Sequence, residues 1–151
     1  MAKSTSPIFT NAQKYGGVEI TAGNSRSDGV GTIGTDIFLV GTVNATDDSY
    51  LRFIELWPTA SVAATSTTAT VARAFLSTQS SGATTVTNTQ PIGERSLPVQ
   101  FAANSTQAVA PVIIPINRPV PSGISILVTT HAAPATNTRW KAVAYWGEYA
   151  A

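Results

Sequence analysis

TATVARAFLS, residues 68–77, alternates like a β-strand and breaks its own pattern once. Every second residue from Val71 gives Val71, Arg73 and Phe75, so an arginine stands where a half-buried strand needs an apolar side chain. The upstream stretch LRFIELW, residues 51–57, has the same flaw: Leu51, Phe53, Glu55 and Trp57 share a parity, with a carboxylate among them. If the two strands pair antiparallel across the loop 58–68, one register sets Trp57 opposite Val71, Glu55 opposite Arg73 and Phe53 opposite Phe75. The sequence thus predicts a structural cross-strand pair, Glu55–Arg73, in place of a catalytic charge. Such pairs contribute about 0.2 to 1 kcal/mol, whereas stranding one charge of a buried pair costs roughly 3 to 5 kcal/mol.

The same alternation recurs on both sides. Thr, Ser, Val and Ile dominate while Lys, Glu and Leu are scarce, and no window carries a helical apolar stripe. Strands are expected at 17–22, 35–43, 50–57, 69–77, 83–89, 97–101, 108–116, 124–130 and 139–149. Many short strands cut by Gly, Asn, Asp, Ser and Pro predict an all-β sandwich or barrel. SRSDGVG (25–31) and ATDDS (45–49) read as turns. In APVIIPINRPVPSG (110–123), Pro111 and Pro115 share one parity and Val112, Ile114 and Ile116 the other, which predicts an edge strand ending in a loop at Pro119 and Pro121. Residues 1–16 show no period and are expected to form an N-terminal arm ahead of a domain at 17–151. Ile8, Phe9 and Tyr15 are its candidate contacts with a neighbour, and a locally packed or disordered tail fits the same residues.

At 151 residues the chain is one domain with room for a core, and the absence of cysteine excludes disulfides, thiolate zinc and cysteine nucleophiles. Nine Lys plus Arg balance eight Asp plus Glu, and charged residues make up only 11% of the chain, against about a quarter in an ordinary domain. No basic run offers a nucleic-acid footprint. So sparse a surface charge predicts that other protein covers much of the surface. MAKSTSPIFTNAQKYGG has no apolar run of signal-peptide length, and no stretch approaches the ~20 apolar residues that span a bilayer. A protein made and used without crossing a membrane is expected.

Catalytic constellations are thin. His131 is the single histidine, without a G-x-S-x-G partner motif, and reads as a loop residue. Asp47 and Asp48 suggest calcium, but no spaced acidic loop follows, and aspartates in turns commonly cap their own backbone. A carboxylate pair for glycoside hydrolysis has no candidate members, and Gly31 and Gly34 in GVGTIG precede a strand instead of joining a strand to a helix. Trp140, Ala142, Ala144 and Trp146 share a parity opposite Lys141, Val143, Tyr145 and Gly147. Small alanines between two tryptophans predict core or interface more than a sugar-stacking platform. No catalytic residue, metal site or cofactor is expected.

The run YLRFIELWPTASVAATSTTATVARAFLS, the later strand ending in PSGISILVTT and the closing RWKAVAYWGEY resemble a group of small tailed-bacteriophage virion proteins. In that group an R-F strand leads to a T-A-T-V-A-R-V-F-like strand, and a tryptophan-containing final strand ends in G-[DE]-Y. Thr70, Val71, Ala72, Arg73 and Phe75 match the middle motif, with Ala74 where a larger β-branched residue is usual. Gly147, Glu148 and Tyr149 match the closing one. The resemblance covers about residues 49–149. It implies a single jelly roll of roughly eight strands and a capsid decoration or cement protein on the outer surface of the head, made in the host cytoplasm. The partners so implied are the major capsid protein and copies of the chain itself, as dimer or trimer, without catalysis, nucleic acid or membrane. The rival reading is a carbohydrate- or receptor-binding module of a tail or fibre, which needs exposed aromatic faces.

Overall fold

β-Branched residues at alternate positions, punctuated by Gly, Asn, Asp and Pro, leave little choice but strands, and strands account for all the regular structure among the described residues. The computed structural model describes residues 10–61, 65–103 and 108–149. Eight longer strands build two four-stranded antiparallel sheets. The first holds β1 (Thr10–Ile20), β4 (Ser49–Ala60), β10 (Val112–Val120) and β12 (Thr138–Tyr149), in the order β1-β12-β4-β10. The second holds β3 (Phe38–Thr42), β6 (Thr70–Ser77), β8 (Thr89–Leu97) and β11 (Ser125–Thr130), in the order β3-β11-β6-β8. Short strands β2 (Gly31–Thr32) and β7 (Ala83–Thr84) form one ribbon, and β5 (Thr65–Ser66) and β9 (Phe101–Ala103) another. With the ribbons set aside, the sheet orders become 1-8-3-6 and 2-7-4-5, the double Greek-key winding of a jelly roll.

That winding corrects the proposed hairpin. The chain crosses from the first sheet to the second between β4 and β6, so Glu55 and Arg73 lie in different sheets. The strand facing Arg73 is β8, which sets Glu94 directly opposite it, and Arg73 Nε donates to Glu94 Oε2 at 2.8 Å. Opposite charges do neutralise one another on this strand, with another partner. The segment holding that partner, TQPIGERSL, lies largely between the strands expected at 83–89 and 97–101, and includes Pro91, Gly93 and two charges. It is tolerated as an edge strand, where an N–H can go unpaired and charges reach water.

β10 is the opposite case: it is an edge of the first sheet, as its prolines predict, with Ile114 buried and Pro115 exposed. It does not stop before Pro119 but runs to Val120, after a register shift that leaves Asn117 at φ +49°. β1 starts at Thr10, so the expected arm boundary at residue 16 falls inside a strand that pairs with β12 from Tyr149 to Trp140. Gln13 to Gly17 lack apolar alternation in part because position 16 has no room for a side chain: a Cβ on Gly16 would overlap the Val40 carbonyl oxygen.

Between the sheets Ile20, Val40, Leu51, Ile54, Leu56, Ala72, Ala74, Ile126, Val128 and Trp140 are buried. The predicted face Trp140, Ala142, Ala144, Trp146 is core throughout. Two glycines make room for Trp146. A Cβ on Gly41 would stand 2.6 Å from the indole Cη2, and one on Gly16 would overlap the Val40 carbonyl oxygen. Turns fall where Asp and Asn predict them: Asp28 accepts from the Val30 N–H ahead of a left-handed Gly29, and Asp48 accepts from the Ser122 N–H at 2.9 Å.

Candidate functional site

The two outward faces of the sandwich are treated differently. On the second sheet, residues 23–37 and the β2–β7 ribbon fold over the strands. Phe75, Leu127 and Ile37 form a second small core there, packed by Ile33 and Leu39. All six residues of β11 are consequently buried, although only half face the main core. Arg73 sits at the rim of this cover, its side chain 14% exposed against 60% for Glu94. Its Nη1 lies 3.4 Å from the Arg26 carbonyl oxygen and 3.5 Å from Nδ1 of His131, which is exposed just after β11. The arginine that breaks TATVARAFLS is thus a fastening between strand and covering loop, and nothing about it resembles a nucleophile's or a base's surroundings.

The outward face of the first sheet has no such cover among the described residues. A β-bulge in β4 creates it. Leu51 pairs with Trp146 and Phe53 with Tyr145, leaving Arg52 without a partner on β12. The extra residue reverses the parity: Leu51 points inward, Arg52 and Phe53 do not, and Ile54, Leu56 and Pro58 point inward again. Phe53, Glu55 and Trp57 therefore face out. Pro58 fits a central strand because β10 ends opposite Leu56, so the missing N–H has no ladder to break.

Register then assembles the surface. One row across the sheet is Tyr15, Tyr145, Phe53 and Pro115; the next is Gly17, Val143, Glu55 and Ile113; the third begins Glu19, Lys141, Trp57. Tyr15 is 77% exposed, Ile113 45% and Trp57 37%. The rings of Phe53 and Tyr145 lie 5.1 Å apart at 42°, a tilted aromatic pair. Glu55 stands among them, its Oε2 accepting from Trp57 Nε1 at 3.1 Å and from the Tyr145 hydroxyl at 3.4 Å. Among the described residues no opposite charge lies within ion-pair distance of Glu55 or of Arg52. Desolvation raises the pKa of the Tyr145 hydroxyl above its ordinary value, and the neighbouring Glu55 carboxylate pushes the same way. An apolar, aromatic sheet face holding a hydrogen-bonded carboxylate offers a stacking surface and one charge.

Of the predicted contact residues, Tyr15 lies on this face, while Ile8 and Phe9 fall outside the described residues. Glu55 lies at its centre, in a role the sequence reading did not assign. Trp57 is on the surface, unlike Trp140 and Trp146. The reading missed the face because one bulge shifted the parity of LRFIELW. A signal was present in RWKAVAYWGEY, where Val143 and Tyr145 make the second parity too apolar for a strand face in water. Asp47 accepts from Asn44 Nδ2 and Asp48 from Ser122, so both are turn-binding carboxylates.

No protein-family model matches the chain, and no curated protein matches it. Among solved structures it is similar to part of a structure of infectious bursal disease virus, Gx strain, at 11% identity and TM-score 0.32, covering 98% of this chain and 36% of that one. It is likewise similar to part of the VP2 subviral particle of infectious bursal disease virus, at 10% identity and TM-score 0.33, again over 36% of that chain. A structure of the Gt strain gives 10% identity, TM-score 0.29 and 45% coverage. The chain spans 36% to 45% of the length of these solved chains, and its jelly roll is established by its own strand order.

Proposed function

We propose that this chain is a non-catalytic structural protein of a virus particle, a decoration or cement protein of a tailed-phage head, and that the open face of its first sheet is a protein-contact surface. The observation that carries this is the uncovered aromatic face on a domain whose other outward face is covered by its own loops. Large apolar patches on small domains mark interaction sites, and a chain with only 11% charged residues has few other means of staying apart from its neighbours. The jelly-roll winding and the motifs around Arg73 and Tyr149 add support. In this reading the partners are the major capsid protein and further copies of the chain, on the outer surface of a head assembled in the host cytoplasm. Ile8 and Phe9 join Tyr15 as contacts. Many modest contacts repeated over a shell stabilise it by avidity and by binding the assembled state.

The test is to add purified protein to heads that lack it. Co-sedimentation with heads and a higher rupture temperature are expected, and absence of the protein from purified virions refutes the proposal. A second reading, a carbohydrate- or receptor-binding module of a tail or fibre, draws on the exposure of Trp57 and Tyr15. Because Trp140 and Trp146 are buried, a fluorescence change with oligosaccharide would report Trp57 and favour that alternative.

A further inference from the structure

The open face is self-complementary. Arg52 and Glu55 lie three residues apart on β4, on either side of Phe53, and among the described residues neither meets an opposite charge. The bulge that frees Arg52 also points it away from the core, on the side where Glu55 stands. We propose that the outward face of the first sheet docks on the same face of a second copy, with Arg52 of each copy paired to Glu55 of the other.

A two-fold axis lying in the interface and running across the strands, between the Phe53 row and the Glu55 row, produces this contact. Each row then lies over the other row of the second copy. Charge matches, because one axis makes two ion pairs from two unpaired groups of opposite sign. Shape matches as well. Tyr15, the most exposed of the large apolar residues, comes over Gly17, which has no side chain. Tyr145 comes over Val143, and Pro115 over Ile113. Sheets packed face to face at about 10 Å leave an arginine and a glutamate ample reach across the gap. Glu55 already has Trp57 and Tyr145 as donors, so the guanidinium completes a carboxylate held in place beforehand. The inference rests on the binding role given to this face above and names a second copy as its occupant, with the head reached by other surfaces.

Sedimentation of the full chain tests it through charge reversal. The wild type is expected to form dimers, and Arg52→Glu and Glu55→Arg each to associate about a hundredfold more weakly, because each sets like charges together twice. An equimolar mixture of the two variants is expected to recover dimers containing one copy of each, since both contacts across a mixed pair are then of opposite sign. Cooperative urea unfolding of the single variants with the wild-type slope would show that they fold. Gly17→Arg, which fills the place taken by Tyr15, is a second probe and should also give monomers. A monomeric wild type, dimeric single variants or a monomeric mixture would each overturn the proposal. If head binding persists in any of those cases, only the self-pairing has failed; if the wild type binds no heads, the decoration role itself has failed, whatever the oligomeric state.

Discussion

The two outer faces of this sandwich began from similar material and were finished differently. On the second sheet Phe75 and Leu127 face outward, as Phe53 and Tyr145 do on the first, and an arginine or glutamate stands beside the aromatic ring in each case. On the second sheet residues 23–37 close over the apolar groups and Glu94 takes up the arginine's charge. On the first, no described segment returns, and Glu55 is left with only a tryptophan and a tyrosine. One outer face is satisfied within the chain, and the other, among the described residues, is not. The contrast also shows why a charge in a strand says little by itself: Arg73 and Glu55 look alike in sequence and differ in whether the fold supplies a partner.

The contrast can be broken most directly by truncation. Phe75→Ala removes a fully buried ring from beneath the covering loop and should cost about 3 to 5 kcal/mol. Tyr15→Ala on the open face should change stability by less than about 0.5 kcal/mol. Urea unfolding of both variants measures the difference, and equal losses would mean that the open face is not open. Next in size is Gly41→Ala, whose methyl meets the Trp146 indole; overpacking of this kind costs about 1 to 3 kcal/mol, read from the same unfolding curves. A double-mutant cycle on Arg73→Met and Glu94→Gln should give a coupling of about 0.2 to 1 kcal/mol, and the cycle with Glu55→Gln in place of the Glu94 change should give none.

The smallest effect is spectroscopic. Because the pKa of Tyr145 is raised in the folded protein, the stability it contributes is present below the ordinary tyrosine value of about 10 and is lost as pH rises through the higher folded value. Phenolate absorbance should therefore show one tyrosine ionising late, and Glu55→Gln should bring it earlier. No change in that variant would remove Glu55 from the surroundings of Tyr145.

Much of the fold was legible in the sequence because period-two patterning is strong wherever one strand face is core. The Trp140–Trp146 face, the proline-marked edge at 111–115 and the Asp-Gly turn at 28–29 are of this kind. Two features defeated it. A single inserted residue at Arg52 reverses a whole strand's orientation without leaving a local mark. Sheet membership also depends on crossovers that no pairwise pattern records, so two charges matched in sequence were assigned to each other across different sheets. The candidate surface was accordingly only partly visible: Tyr15 was identified, but the row it completes lies on strands that become neighbours through the jelly-roll winding alone.

The placement of β12 between β1 and β4 has a consequence for timing. The last strand of the chain is the central plank of the first sheet, and both of its neighbours are made long before it. Until β12 inserts, Tyr145 is absent from the aromatic row, Glu55 lacks one of its two donors, and β1 has no strand to pair with. Pairings so distant along the chain form slowly. The outward aromatic face of the first sheet is therefore complete only once β12 is in place.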